Sequence, residues 1–342
     1  MAAIAVRHCV HSTAGPAAAA HGGSRRHAAP SAALRLRPNS AARPLLRTSP
    51  STGAPMRRSY GVLRVKTQAV AEVGHTFRIT ETMDALRAAG KKALIPFIMA
   101  GDPNLETTAK AIKVLNDEGA DVIELGVPYS DPLADGPVIQ EAATRALLDQ
   151  GTTLDKVLAM LTSIKGDISA PLVLFCYYNP IMRRGPDLFC EQAKAAGASG
   201  LLVPDIPLEE THEIKAIARS HGLELVLLCT PTTPVSRMAK IAEATSGFVY
   251  LVSVTGVTGV RTKVATRVEE LVQSLKSVTD KSVAVGFGVS LPEHAKDIVE
   301  MGGDGVIVGS ALVRALGGSS SPEEGLQKMT ETFKALRAAT PN

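Results

Sequence analysis

At 342 residues, with 37 Lys and Arg against 33 Asp and Glu, the chain has a formal charge of +4 at pH 7, but that charge is unevenly spread. Residues 1–70 hold ten Arg, one Lys and no Asp or Glu; without those eleven cations the body has 26 basic and 33 acidic residues, a net charge of −7. A body that acidic, with no clustered Lys/Arg stripe, argues against a nucleic-acid or anionic-membrane partner.

The first 70 residues are rich in Arg, Ser, Ala, Pro and Gly, and the first acidic residue is Glu72. Arg-rich, Ser-rich and acid-poor is the composition of an organelle transit peptide, and no apolar run there is long enough for a secretory core or a membrane span. A basic arm for nucleic acid is the competing reading. We therefore expect a disordered transit peptide over 1–70, cut between about Tyr60 and Ala71, and one catalytic domain over 71–342. Beyond Cys9 the cysteines are Cys176, Cys190 and Cys229, without CxxC spacing; beyond the leader the histidines are His75, His212, His221 and His294, scattered. Neither a disulfide framework nor a metal site is expected from that pattern.

In chain order, an initial helix is expected over 80–89, placed to plug the bottom of a barrel. Short runs rich in Val, Ile, Leu and aromatics then alternate with segments of helical period. The expected strands are 93–99, 122–126, 172–177, 200–203, 223–228, 247–252, 282–286 and 305–308. Several are apolar without strict alternation, as strands buried on both faces are. Val268, Leu271, Val272 and Leu275 fall on one helical face, the pattern of an outer-ring helix. Ser290 with Glu293, and Ser321 with Pro322 and Glu324, read as helix starts. Eight β/α units close into a (β/α)8 barrel or spread as a doubly wound sheet. No GxGxxG follows the first strand, which favours the barrel. In a barrel, functional groups lie just after the strands.

Read that way, the second strand carries Glu124 inside an apolar run near its C-terminal end. Desolvation there would raise its pKa and let it pass a proton in both directions; a structural carboxylate paired with a buried Arg or Lys fits the position equally well. Asp135 lies in the loop that follows, a second carboxylate over the same mouth, although spacing alone favours a plain Asp-Gly turn. Strands seven and eight end in Gly286-Phe287-Gly288 and Gly309-Ser310-Ala311, and the sixth is followed by Thr255-Gly256-Val257-Thr258-Gly259. Glycine loops at these places suit a phosphate, or are simply tight turns. Phe97, Phe175, Tyr177 and Tyr250 could line a slot for a flat ring, or fill the core. No lysine occupies the C-terminal half of an expected strand, so a Schiff-base mechanism has no support.

Several of these segments, in order, resemble the tryptophan synthase alpha chain. They are Ile95-Pro96-Phe97; Ala100-Gly101-Asp102-Pro103; Glu124-Leu125-Gly126-Val127-Pro128-Tyr129-Ser130-Asp131-Pro132-Leu133-Ala134-Asp135-Gly136-Pro137; Tyr177-Tyr178-Asn179-Pro180; Val203-Pro204-Asp205-Ile206-Pro207; Gly256-Val257-Thr258-Gly259; Gly286-Phe287-Gly288; and Gly309-Ser310-Ala311. The likeness runs from about Thr80 to Ala339 and leaves only the leader unmatched.

That resemblance implies retro-aldol cleavage of indole-3-glycerol phosphate to indole and D-glyceraldehyde 3-phosphate, with no cofactor and no metal. Glu124 would be the proton shuttle and Asp135 the partner of the ring N–H. Gly259, Gly286, Gly288, Gly309 and Ser310 would hold the phosphate, and Phe97, Phe175, Tyr177 and Tyr250 would border the indole and glycerol. Residues 255–266 would form a lid, with Thr258 touching Asp135 on closure. Residues 128–137 and 179–186 would face a pyridoxal-phosphate beta chain that receives the indole, and the leader would be a chloroplast address. A stand-alone lyase releasing free indole is the alternative the same chemistry allows. A silent barrel that only activates a beta chain is disfavoured by the presence of both carboxylates.

Overall fold

The computed structural model describes residues 78–253, 261–286 and 288–340. Eight parallel strands close on themselves in sequence order: β1 (Ala93–Met99), β2 (Ile123–Gly126), β3 (Leu172–Phe175), β4 (Gly200–Leu202), β5 (Glu224–Cys229), β6 (Phe248–Val252), β7 (Ser282–Gly286) and β8 (Gly305–Val308). β8 pairs back onto β1, with Ala93 opposite Gly305 and Pro96 opposite Val308. The fold is the expected (β/α)8 barrel.

The missing alternation in the sequence has a direct cause. Along β1, Leu94 and Ile98 pack outward under the helices, whereas Ala93, Ile95, Phe97 and Met99 fill the barrel interior. Both faces are apolar, so the two-residue period separates two cores rather than core from solvent. On β2 the interior phase begins with Val122 and continues through Glu124 and Gly126, which puts a carboxyl where a hydrocarbon would normally sit.

β1, β7 and β8 have the expected bounds; the other strands differ at their ends. β3 stops at Phe175, two residues early. The Cys176 N–H still reaches Leu202 O at 3.0 Å, but Tyr177, at φ −62° and ψ 153°, caps the helix Tyr178–Arg184. β6 begins at Phe248 because Gly247 has a left-handed backbone at φ 76°.

The initial helix spans Arg78–Ala88 and closes the barrel floor. Ile79 and Met83 are buried in the interior core, and two glycines make room for the first of them. A Cβ on Gly200 or Gly247 would come within 2.6 or 2.7 Å of the Ile79 side chain. The helix start is held by Glu224 of β5, which accepts the N–H groups of Ile79 at 2.8 Å and Thr80 at 3.1 Å. Helix N-terminal amides lack partners inside the helix, so a buried carboxylate there meets a real need. We expect Glu224→Ala to cost about 2–3 kcal/mol, the price of leaving two buried donors open. That should appear as a melting temperature several degrees lower with KM unchanged; an unaltered melt would show that the plug docks without this contact.

In the outer ring, helix Arg261–Lys276 buries Val268, Val272 and Leu275, with Leu271 partly covered, as its period predicts. Because this helix begins at Arg261, the second half of the expected lid is helical; Thr258 and Gly259 lie outside the described residues. Ser290 does not cap the helix that follows. That helix spans Pro292–Glu300 with Leu291 at the cap position, and the Ser290 N–H instead donates to His294 Nδ1. Ser321 does cap helix Pro322–Ala339, accepting the Glu324 N–H, while the Glu324 carboxylate turns back to Ser320. A π-helical turn, Arg145–Asp149, follows helix Pro137–Thr144. Its Arg145 forks onto both oxygens of buried Asp102, each at 2.8 Å, tying the β1 exit to the π-helical segment after β2.

Candidate active site

The alternation that fills the interior also aims Phe97 of β1, Phe175 of β3, Tyr250 of β6 and Ile307 of β8 into one pocket at the mouth. Phe97 of β1 stands opposite Glu124 of β2 in the ladder. Gly126, one interior step beyond Glu124, lets the Phe97 ring lie across the top: a Cβ there would be 2.6 Å from Phe97 Cζ. Phe97 and Phe175 meet edge to face, with centroids 5.4 Å apart.

Glu124 is fully buried, and neither carboxylate oxygen has a hydrogen-bond partner among the described residues. The structural reading of this residue, a buried ion pair, would require a cation, and none is bonded to it among the described residues. With no partner to offset desolvation, its pKa is pushed up from the ordinary carboxylate range to about 8, so at neutral pH it holds a proton.

Asp135 does sit in a turn, its N–H bonded to Pro132 O at 3.0 Å. Gly136 then opens helix Pro137–Thr144, and the Asp135 side chain lines the pocket. The turn and functional readings of Asp135 are thus compatible. Burial pushes its carboxyl up to about 6, while the Tyr177 hydroxyl pulls the other way. The same hydroxyl accepts the Ala134 N–H at 3.0 Å. Burial and the Asp135 charge keep Tyr177 neutral, raised well beyond its usual range.

The pocket is lined by Phe97, Phe175, Tyr250, Ile139 and Ile307 on its apolar side and by Asp135. Gly288, Gly309 and Ser310 form another stretch of its wall. Gly309 caps the helix Ser310–Gly317, so that helix presents its unpaired N–H groups at the pocket. No Lys or Arg is among the described lining residues. An anion bound there would rest on backbone N–H groups and the helix dipole.

Of the residues singled out in the sequence, Phe97, Asp135, Phe175, Tyr250, Gly288, Gly309 and Ser310 meet on this one pocket. Glu124 and Tyr177 stand behind the wall. Gly286 is also set back, packed under the Tyr250 hydroxyl, which a Cβ there would approach to 2.5 Å. Ile139, Ile307 and Gly136 also line the pocket and were not singled out. Ile307 was readable from the interior phase of β8; Ile139 was not, since its helix starts from a loop whose path the sequence does not give. Among the described residues no three His, Cys, Asp or Glu side chains are grouped to hold a metal ion. No described helix is long and apolar enough to cross a membrane.

A closed parallel barrel with a buried carboxyl on its second strand, and a pocket lined by a second carboxylate from the loop after that strand and by glycines after the seventh and eighth, defines the class: a (β/α)8 barrel with a pocket at its strand exits. The family profile described as tryptophan synthase alpha chain matches residues 83–341, and the chain belongs to that family. It is 56% identical to the tryptophan synthase alpha chain of Arabidopsis thaliana over 264 residues, 77% of this chain and 96% of that one. It is equally identical to that of Picosynechococcus sp. over 261 residues, 76% of this chain and 98% of that one. Among solved structures, it superposes with a TM-score of 0.68 at 40% identity on a chain of the tryptophan synthase a2b2 complex from Pyrococcus furiosus, covering 72% of this chain and 99% of that one.

Proposed function

We propose that the chain cleaves indole-3-glycerol phosphate to indole and D-glyceraldehyde 3-phosphate, the alpha-chain reaction of tryptophan biosynthesis, with Glu124 and Asp135 as its catalytic pair. The observation that carries the roles is a fully buried Glu124 carboxyl with no hydrogen-bond partner among the described residues, on the strand whose exit loop brings Asp135 to the pocket. Protonated Glu124 gives its proton to the ring carbon that bears the glycerol chain, and positive charge spreads to the ring nitrogen. The Asp135 carboxylate accepts the hydrogen bond of the ring N–H and stabilises that charge. Glu124, now ionised in an apolar pocket, takes the proton of the adjacent side-chain hydroxyl. The carbon–carbon bond breaks, its electron pair returns to the ring, and the hydroxyl carbon becomes the aldehyde. The shuttle ends as it began, protonated, and no further reagent is consumed.

Phe97, Phe175 and Tyr250 border the indole, with Tyr177 behind Asp135; Gly286, Gly288, Gly309 and Ser310 support the phosphate, and Thr258 and Gly259 belong to the lid. The partner is a tryptophan synthase beta chain, a reading supported by the related a2b2 complex and by exposed Leu133 and Met182 on the two segments assigned to it. The acid-free leader is a chloroplast transit peptide, a reading that the plant relative supports.

Indole release from indole-3-glycerol phosphate, with and without a plant beta chain, tests this directly. We expect slow turnover alone and a rise of at least about tenfold with the partner. Turnover near 1 per second alone, unchanged by the partner, would replace the subunit with a stand-alone lyase, and silence in both conditions would remove the activity.

A further inference from the structure

The Tyr177 hydroxyl holds the N–H of Ala134, the residue before Asp135 in the turn, so what fixes the Tyr177 ring matters. Tyr177 lies two residues beyond the end of β3. Two rings bracket it. Phe175 meets it at 72° with centroids 6.4 Å apart, and Tyr129, three residues past the end of β2, stacks on it at 28° and 5.1 Å. The Tyr129 hydroxyl accepts the Asn179 side-chain amide at 3.0 Å. Tyr177 and Asn179, two residues apart, therefore clasp Tyr129 between a ring face and an amide. Tyr129 is only partly buried, whereas Tyr177 beneath it is 2% exposed.

We propose that Tyr129 is a positioning residue of the cleavage reaction: clasped between the Tyr177 ring and the Asn179 amide, it holds the Tyr177 hydroxyl on the Ala134 N–H and so steadies the turn that aims Asp135 into the pocket. This rests on the role given to Asp135 above. Glu124 on β2, Tyr250 on β6 and Asp205 after β4 are the other titratable groups acting on this neighbourhood, and none is a cation. The Tyr177 hydroxyl pulls the Asp135 carboxyl down, so its displacement would favour the protonated acid.

The test measures steady-state cleavage by the full chain, with and without a beta chain, from about pH 5 to about pH 9. Tyr129→Leu and Tyr129→Met both remove the flat ring, and whichever melts like the parent is read. We expect kcat to fall about tenfold, the rate equivalent of one hydrogen bond. KM should stay within about twofold, and the acid limb should move toward neutrality. Tyr129→Phe keeps the stack and should restore kcat to within about threefold. Parental kcat and acid limb in the leucine and methionine variants, or a phenylalanine variant as poor as they are, overturns the proposal. Parental turnover in Asp135→Asn would instead remove the Asp135 reading beneath it.

Discussion

Glu124→Gln should give a barrel that is more stable than the parent and cleaves nothing measurable. The fold holds this carboxyl where its folded pKa, about 8, lies above the ordinary value of 4.5. The folded state therefore binds the proton more tightly than the unfolded one. Its contribution to stability is complete below the ordinary value and drains away as pH rises toward 8. By pH 7.5 the loss is on the order of 4 kcal/mol, at 1.36 kcal/mol per unit. Glutamine has nearly the same shape, cannot ionise and escapes that penalty, so the melting temperature should rise at pH 7.5 and the gain should vanish near pH 4. Without a proton to donate, kcat should fall by about a thousandfold, within the range for a lost acid–base group. A variant that melts like the parent at every pH would mean that Glu124 is not desolvated as described; one that still turns over would take the shuttle role from it.

The second large effect is on pH. On the proposed roles, cleavage needs Asp135 ionised and Glu124 protonated, and burial sets the two carboxyls at about 6 and about 8 in that order. Below the first, Asp135 takes up a proton and the ring-nitrogen charge loses its partner. Above the second, Glu124 loses the proton it must give. We expect kcat/KM to peak near pH 7 and to fall on both sides, about tenfold per unit beyond the limbs. A phosphate monoester also titrates near 6, so the acid limb has two possible owners. Asp135→Asn separates them: a limb from Asp135 disappears with the substitution, whereas one from the substrate stays. Activity climbing through pH 9 would reverse the assignment, making ionised Glu124 the working form.

The sequence displayed the barrel more fully than it displayed the site. Strands buried on both faces announce themselves as apolar runs, and β1, β7 and β8 were placed to the residue. Glu124 was visible because a carboxylate inside such a run is out of place. Its role was not, because an ion pair and a proton shuttle look alike until the absence of a partner can be seen. Asp135 was less legible, since an Asp-Gly pair before a proline is common turn chemistry, and only the fold shows that the turn aims the carboxylate into the pocket. Tyr129 was invisible as a functional residue. Its importance comes from a stack across two strand exits, 48 positions apart in the chain, and no local pattern records such a contact. The π-helical turn at Arg145 was hidden for the same reason, its arginine being drawn to Asp102 from 43 residues away.

The floor closed by Ile79 and Met83 has a consequence for traffic. With the floor filled, the described pocket lies at the strand exits, and on the proposed function a second enzyme that takes up indole would have that face to cover. Covering it would turn a dead-end cup into the first chamber of a sealed conduit.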